Sequence, residues 1–210
     1  MTNRQRTWIF IAAGLSGTAI FGFFGYMVWT MVQGMGKPGS LSEADKRLVV
    51  RVASLAQFGI VPTSTAGETF TAIPQFGTTP YIQYEYSSRK DPVATKYLYM
   101  NCMAQAHPIA ASAVQTFQMQ KATYRTTFKF MPGAKIVDMP ELVGDLGDAR
   151  YAATILSKDG QPGGNLFVLR QGRVVHTVML TGVAFQRPED VKRLLDPILV
   201  ESRRRYAAKR

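Results

Sequence analysis

"GNLFVLRQGRVVHTVMLTG", residues 164–182, decides the reading of the fold. Two apolar, β-branched runs flank Gln171-Gly172, and each has the length of a strand. A tight turn at Gln171-Gly172 makes the stretch a β-hairpin. Asn165, Phe167 and Leu169 alternate with Leu166, Val168 and Arg170; beyond the turn, Val174, His176 and Val178 alternate with Val175, Thr177 and Met179. One strand face is not cleanly polar, so both faces of the sheet are expected to be largely covered. Arg170, Arg173 and His176 also make the hairpin a candidate active surface. The rest of the chain decides between surface and scaffold.

Downstream, "QRPEDVKRLLDPILVESRRRYAAKR" (186–210) reads as a closing helix. Pro188 stands near its start and Glu189 and Asp190 fall in its first turn, where a proline and acidic groups suit the free N–H groups. Val191, Leu194, Leu195, Ile198 and Leu199 form its apolar face, and Pro197 removes one backbone hydrogen bond. Upstream, "PELVGDLGDARYAATILS" carries a polar loop into another strand and "KDGQPGG" is a turn. "AKIVDM" is a short strand. "HPIAASAVQTFQMQKATYRTTFKF" is a helix with Pro108 at its first position, an inner face of Ile109, Ala113, Phe117, Gln120, Tyr124 and Phe128, and a stop at Pro132-Gly133. "TFTAI", "YIQYEYS" and "KYLYMNCMA" are strand-like runs, the last two joined by the turn "SSRKDP". "SLSEADKRLVVRVASLAQFG" is expected to be one helix, capped by Ser42, striped by Leu48, Val52 and Leu55, and ended by Gly59. Helix, strands, helix, strands, helix is an α+β order: an antiparallel sheet packed by helices.

Residues 8–32, "WIFIAAGLSGTAIFGFFGYMVWTMV", carry no charge. At about 1.5 Å per residue the run exceeds the ~30 Å hydrocarbon core of a bilayer, and it is longer than the apolar region of a cleaved signal peptide. Trp8 sits at one end and Tyr26 and Trp29 near the other, as interfacial aromatics do. The expectation is a single uncleaved transmembrane helix over 8–33, after a tail 1–7 and before a Gly-rich linker 34–41. A soluble domain over 42–206 and a basic tail 207–210 complete the chain. Gly14, Gly17, Thr18, Gly22 and Gly25 share one helix face, with Phe21 among them, and small residues on one face let a second membrane helix approach closely. Arg4 and Arg6 before the span favour a cytoplasmic N-terminus, which puts the main domain outside the cytoplasm, in a periplasm-like space.

The remaining totals bound the class. The 210 residues carry 25 Lys and Arg against 14 Asp and Glu, a net charge of +11. Such a charge suits nucleic acid, anionic lipid or an acidic protein surface. No aromatic–basic interleaving supports nucleic acid, and an anchor argues against it. Cys102 is the one cysteine, so no intramolecular disulfide forms, and its apolar neighbours make it buried filler.

"GDLGDARYAAT" (144–154), then "GQPGGNLFVLRQGRVVHTVMLTG" (160–182) and a terminal helix, resembles PsbP-like domains and bacterial lipoprotein domains of the LpqN type. The residues that carry the resemblance are Gly147, Asp148 and Ala149, then Arg170 and Gly172, then Val174 and Val175. The motif covers 144–182 and the architecture 42–206. The resemblance implies an α/β/α sandwich and an accessory or binding role at a membrane surface, in some relatives as extrinsic subunits of photosynthetic complexes. The long N-terminal span departs from that pattern.

No catalytic, metal or cofactor site is expected. His107 and His176 lie far apart, without Cys or Asp at ligand spacing. Asp138, Glu141, Asp145 and Asp148 lack calcium-loop spacing, and neither a serine elbow nor a phosphate-cradling glycine loop is present. Arg203, Arg204, Arg205, Lys209 and Arg210 exceed what a helix C-terminus needs, and the expectation is contact with anionic headgroups or an acidic subunit surface. The leading reading is a non-enzymatic single-span accessory subunit, bound to integral membrane subunits of a bioenergetic (photosynthetic or respiratory) complex. Its rival is a stand-alone membrane-anchored sensor that binds a small ligand between helix and sheet.

Overall fold

Seven strands form the domain: β1 (Glu68–Ile73), β2 (Tyr81–Ser87), β3 (Tyr99–Ala106), β4 (Lys135–Asp138), β5 (Ala149–Leu156), β6 (Pro162–Gln171) and β7 (Val174–Thr181). In the computed structural model, which describes residues 41–62, 65–73, 81–90, 97–131, 133 and 135–207, they pair antiparallel in one sheet of order β1-β2-β3-β7-β6-β5-β4. The fold is α+β. Two meanders meet at the β3–β7 seam, where Tyr99 faces Thr181 and Ala106 faces Val174. The short α1 (Glu43–Lys46) precedes the sheet; α2 (Ala110–Phe130) leads from β3 to the far edge at β4; α3 (Pro188–Tyr206) closes the domain. The anchor expected at 8–33, with Gly14, Gly17, Thr18, Gly22 and Gly25, lies outside the described residues. Among those described, no helix is long and apolar enough to cross a membrane.

Side-chain alternation sorts the strands onto two buried faces. On one, Tyr84, Met100, Cys102, Phe167, Leu169, Val178 and Leu180 pack with Val191, Leu194, Leu195, Ile198 and Leu199 of α3 and with Leu48, Val52 and Leu55. On the other, Tyr151, Ala153, Ile155, Leu166, Val168 and Val175 pack with Ala113, Phe117 and Phe128 of α2. Helices therefore cover both sides of the β6–β7 hairpin. Each fully buried large side chain contributes about 1.5–3 kcal/mol.

Three local expectations shift. Residues 42–59 are not one helix: α1 ends at Lys46, and a 3-10 segment, Val52–Phe58, follows. Leu48, Val49, Val50 and Val52 are all buried, which no single helix face allows, so the chain leaves the helix to bury them. Ser42 does cap α1, accepting from the Asp45 N–H in a capping box, and Gly59 ends the 3-10 segment at φ +76°. Helix α2 begins at Ala110 with Ile109 as its cap, two residues beyond Pro108. In the hairpin, Gln171 pairs with Val174, so the two-residue loop is Gly172-Arg173. Gly172 has φ +59°, the left-handed value a type II′ loop requires at its first position.

Candidate functional site

The hairpin's polar groups turn inward to hold the fold. Asp148, just before β5, accepts hydrogen bonds from the Gly172 N–H at 2.6 Å and Gln171 Nε2 at 3.2 Å, and it pairs with Arg170 Nη1 at 3.3 Å. Arg170 also donates to the Gly172 carbonyl at 2.8 Å. Gly147 has φ +68°, and a Cβ there would stand 2.7 Å from the Arg170 carbonyl oxygen. The residues of the 144–182 motif thus form a clasp between the β5 approach and the β6–β7 turn. On β6, buried Asn165 accepts from the Phe185 N–H at 2.6 Å and donates to its carbonyl at 3.1 Å, pinning the connection to α3.

His176 lies at the sheet's centre under α3, with Nε2 2.7 Å from Ser202 Oγ. That is the spacing of a nucleophile and its base. Here the imidazole is 0% and Ser202 1% exposed, and Nδ1 makes no well-formed hydrogen bond among the described residues. Burial pulls the imidazole down to about 4, and the Leu48 backbone beside it offsets only part of that pull. The pair is a neutral bolt between sheet and helix, closed to substrate. His107 is also buried, its Nε2 without a partner among the described residues, and burial lowers its pKa too. Burial likewise raises the Cys102 thiol. Among the described residues, no group of three His, Cys, Asp or Glu is placed to hold a metal ion.

Three of the five C-terminal cations stand beside carboxylates of the chain itself, Arg203 and Arg204 as exposed pairs and Arg205 as a part-buried one. Arg203 stands 3.6 Å from Asp196, and Arg204 forks onto Glu201 at 2.7 and 3.0 Å. Arg205 reaches Asp45 at 2.8 Å and the Ala44 carbonyl at 3.1 Å, tying the end of α3 to α1. Lys209 and Arg210 lie outside the described residues.

A different basic surface stands open. A groove of about 890 Å³ runs between the last turns of α2, strand β4 and the turn after β5. Arg125, Lys129, Lys135 and Lys158 line it, with Asp138 as the single carboxylate; Phe128, Ile136 and Leu156 form an apolar floor. Asp138 is already engaged: Tyr151 Oη donates to it at 2.8 Å and Arg125 stands 3.4 Å away. Burial and this hydrogen bond hold the Tyr151 phenol far above its ordinary value. Among the described residues, Lys129, Lys135 and Lys158 have no carboxylate partner. Gly133, at φ +79°, accommodates the Lys158 stem, whose Cε would lie 2.5 Å from any added Cβ. Phe130 and Met131 are exposed at the rim, 74% and 44%.

Part of this site was readable beforehand. Lys121, Arg125 and Lys129 recur every fourth residue on a helix of 21 residues with no acidic group, so they form one cationic stripe. Lys135 and Lys158 join them only because Lys135 pairs with Leu156 across β4 and β5. No family model matches the chain, and no curated protein matches it. Among solved structures, the chain is similar to the extracellular domain of PknH from Mycobacterium tuberculosis, with 12% identity, 77% of this chain and 97% of that chain covered, and a TM-score of 0.44.

Proposed function

We propose that this chain is a non-enzymatic, single-span accessory subunit of a larger membrane assembly, and that its α+β domain meets an acidic partner surface through the α2–β4 groove. The observation that carries this reading is the concentration of Arg125, Lys129, Lys135 and Lys158 around one engaged carboxylate. Cations lining a concave wall focus their field on an approaching anionic surface. The uncharged run 8–32 supplies the anchor, and Gly14, Gly17, Thr18, Gly22 and Gly25 supply a face for a membrane helix of the host. The N-terminus is cytoplasmic and the domain lies on the other side. The PsbP-like resemblance supports an accessory role, with a bioenergetic complex as host. Lys209 and Arg210 add a minor contact with anionic headgroups.

Purification of the full chain in mild detergent tests this. A discrete high-mass assembly with stoichiometric partners is expected, and Gly17→Leu with Gly22→Leu disperses it; a lone monomer that these changes leave unaltered contradicts it. One observation favours the second reading, a membrane-anchored small-ligand domain: about 890 Å³ with an apolar floor falls in the size range of ligand clefts. A monomer that retains an organic anion through purification supports that reading.

A further inference from the structure

The groove has a feature that charge alone does not explain: one wall is the edge of the sheet. Strand β4 ends the strand order and pairs only with β5 among the described residues. The Met139 N–H donates to the Ala152 carbonyl at 2.9 Å. That bond sets the phase of the ladder, because hydrogen-bonded and non-hydrogen-bonded pairs alternate along antiparallel strands. Val137 and Lys135, two and four residues earlier, therefore bond to β5. Ile136 and Asp138 point their N–H and C=O groups outward, and none of these groups has a hydrogen-bond partner among the described residues. The Ile136 and Asp138 side chains stand on the α2 side of the sheet, beside Phe128 and Arg125.

We propose that β4 accepts an extended acidic segment of a partner protein as an eighth strand. Its backbone pairs with the outward groups of Ile136 and Asp138. Its alternate side chains fall on the α2 side, where carboxylates meet Lys129 and Lys158 with Arg125 behind them, and the apolar side chains between them fall on the opposite side, beside the exposed Val137. An exposed edge is an open template for strand addition, and backbone pairing gives affinity while alternate side chains give specificity. Charge complementarity selects the acidic occupant: Lys129, Lys135 and Lys158 have no carboxylate partner among the described residues, and the groove's one carboxylate, Asp138, is already held by Tyr151 and Arg125. A membrane surface does not use a strand edge, so the geometry favours a peptide over lipid. This inference rests on the groove being the domain's partner surface.

The test uses the full chain in a neutral maltoside detergent and a ten-residue fluorescent peptide alternating Glu and Val, which places every carboxylate on one side of a strand. Saturable binding is expected, weakening by roughly tenfold or more as salt rises from low to several hundred millimolar. Hydrogen–deuterium exchange across 135–139 slows on binding, because the Ile136 and Asp138 N–H groups gain partners. A peptide of the same composition with its Glu and Val in two blocks binds at least several-fold more weakly. Binding of both peptides alike, or binding without slowed exchange at 135–139, overturns strand addition while leaving a simple electrostatic partner surface intact. Binding to phosphatidylglycerol vesicles with none to either peptide overturns both the inference and the partner reading of the groove.

Discussion

Helices α2 and α3 are close in length and lie on opposite faces of one sheet, yet they spend their residues differently. Helix α3 buries Val191, Leu194, Leu195, Ile198, Leu199 and Ser202, and four of its five cations, Arg193, Arg203, Arg204 and Arg205, stand beside a carboxylate; Lys192 has no carboxylate partner among the described residues, and Val200 is its one large exposed apolar side chain. Helix α2 buries only Ala113, Thr116, Phe117 and Phe128, has no acidic residue, and leaves Val114, Met119 and Phe130 exposed. A helix whose apolar face is buried and most of whose charges are paired inside the chain is a structural part. One with surplus cations and exposed apolar groups has surface left for a partner. The terminal basic run and the stripe on α2 thus differ: Arg205 of the terminal run ties α3 to α1, and the stripe on α2 opens outward.

The largest expected effect that sharpens this contrast is in the core. Leu195→Ala, at a side chain with 0% exposure, is expected to cost about 2–5 kcal/mol in denaturant unfolding. Val114→Ala on the outer face of α2, 45% exposed, is expected to stay within about 0.5 kcal/mol. Equal losses would erase the distinction between the helices.

Next comes the His176–Ser202 bolt. The folded state holds the imidazole neutral at about 4, against an ordinary 6.5. Between those values the unfolded chain binds more protons, so stability is complete above pH 6.5 and falls as pH drops toward 4, by on the order of 3 kcal/mol. His176→Gln is expected to flatten that slope, measured as denaturant midpoints at pH 7 and pH 4.5. An unchanged slope would place the acid sensitivity elsewhere. Smaller still is the Arg205–Asp45 pair, which is part-buried: a double-mutant cycle to Ala at both positions is expected to give a coupling of about 1 kcal/mol or less. Lys129→Ala is expected to leave stability within about 0.5 kcal/mol, since it has no carboxylate partner among the described residues.

The architecture was legible where periodicity is local. The α3 face Val191, Leu194, Leu195, Ile198 and Leu199 and the alternation in 164–182 can be read from spacing alone, and all of these α3 positions are buried. The break inside 42–59 was not legible, because Leu48 and Val52 satisfy a helical stripe; only the sheet above them shows that Val49 and Val50 are buried too. The clasp at Asp148 reads in sequence as a family motif, but its purpose needs Gly172, 24 residues on, at 2.6 Å. Arg205 looks free in sequence because Asp45, which engages it, lies 160 residues away. The groove was half legible: its helical stripe is periodic, whereas Lys135 and Lys158 arrive through strand register.

The contrast between the helices is tested most directly by two charge reversals of equal size. Lys129→Glu with Lys158→Glu alters the groove, and Arg203→Glu with Arg204→Glu alters the terminal helix; each lowers the net charge by the same amount. Binding of the alternating Glu–Val peptide to each full-length variant is compared at one salt concentration. The groove variant is expected to lose affinity by roughly tenfold or more, and the terminal variant by less than about threefold, the residue of long-range attraction. Equal losses in the two variants, or a greater loss in the terminal one, would contradict the assignment of the open basic surface to α2 and β4.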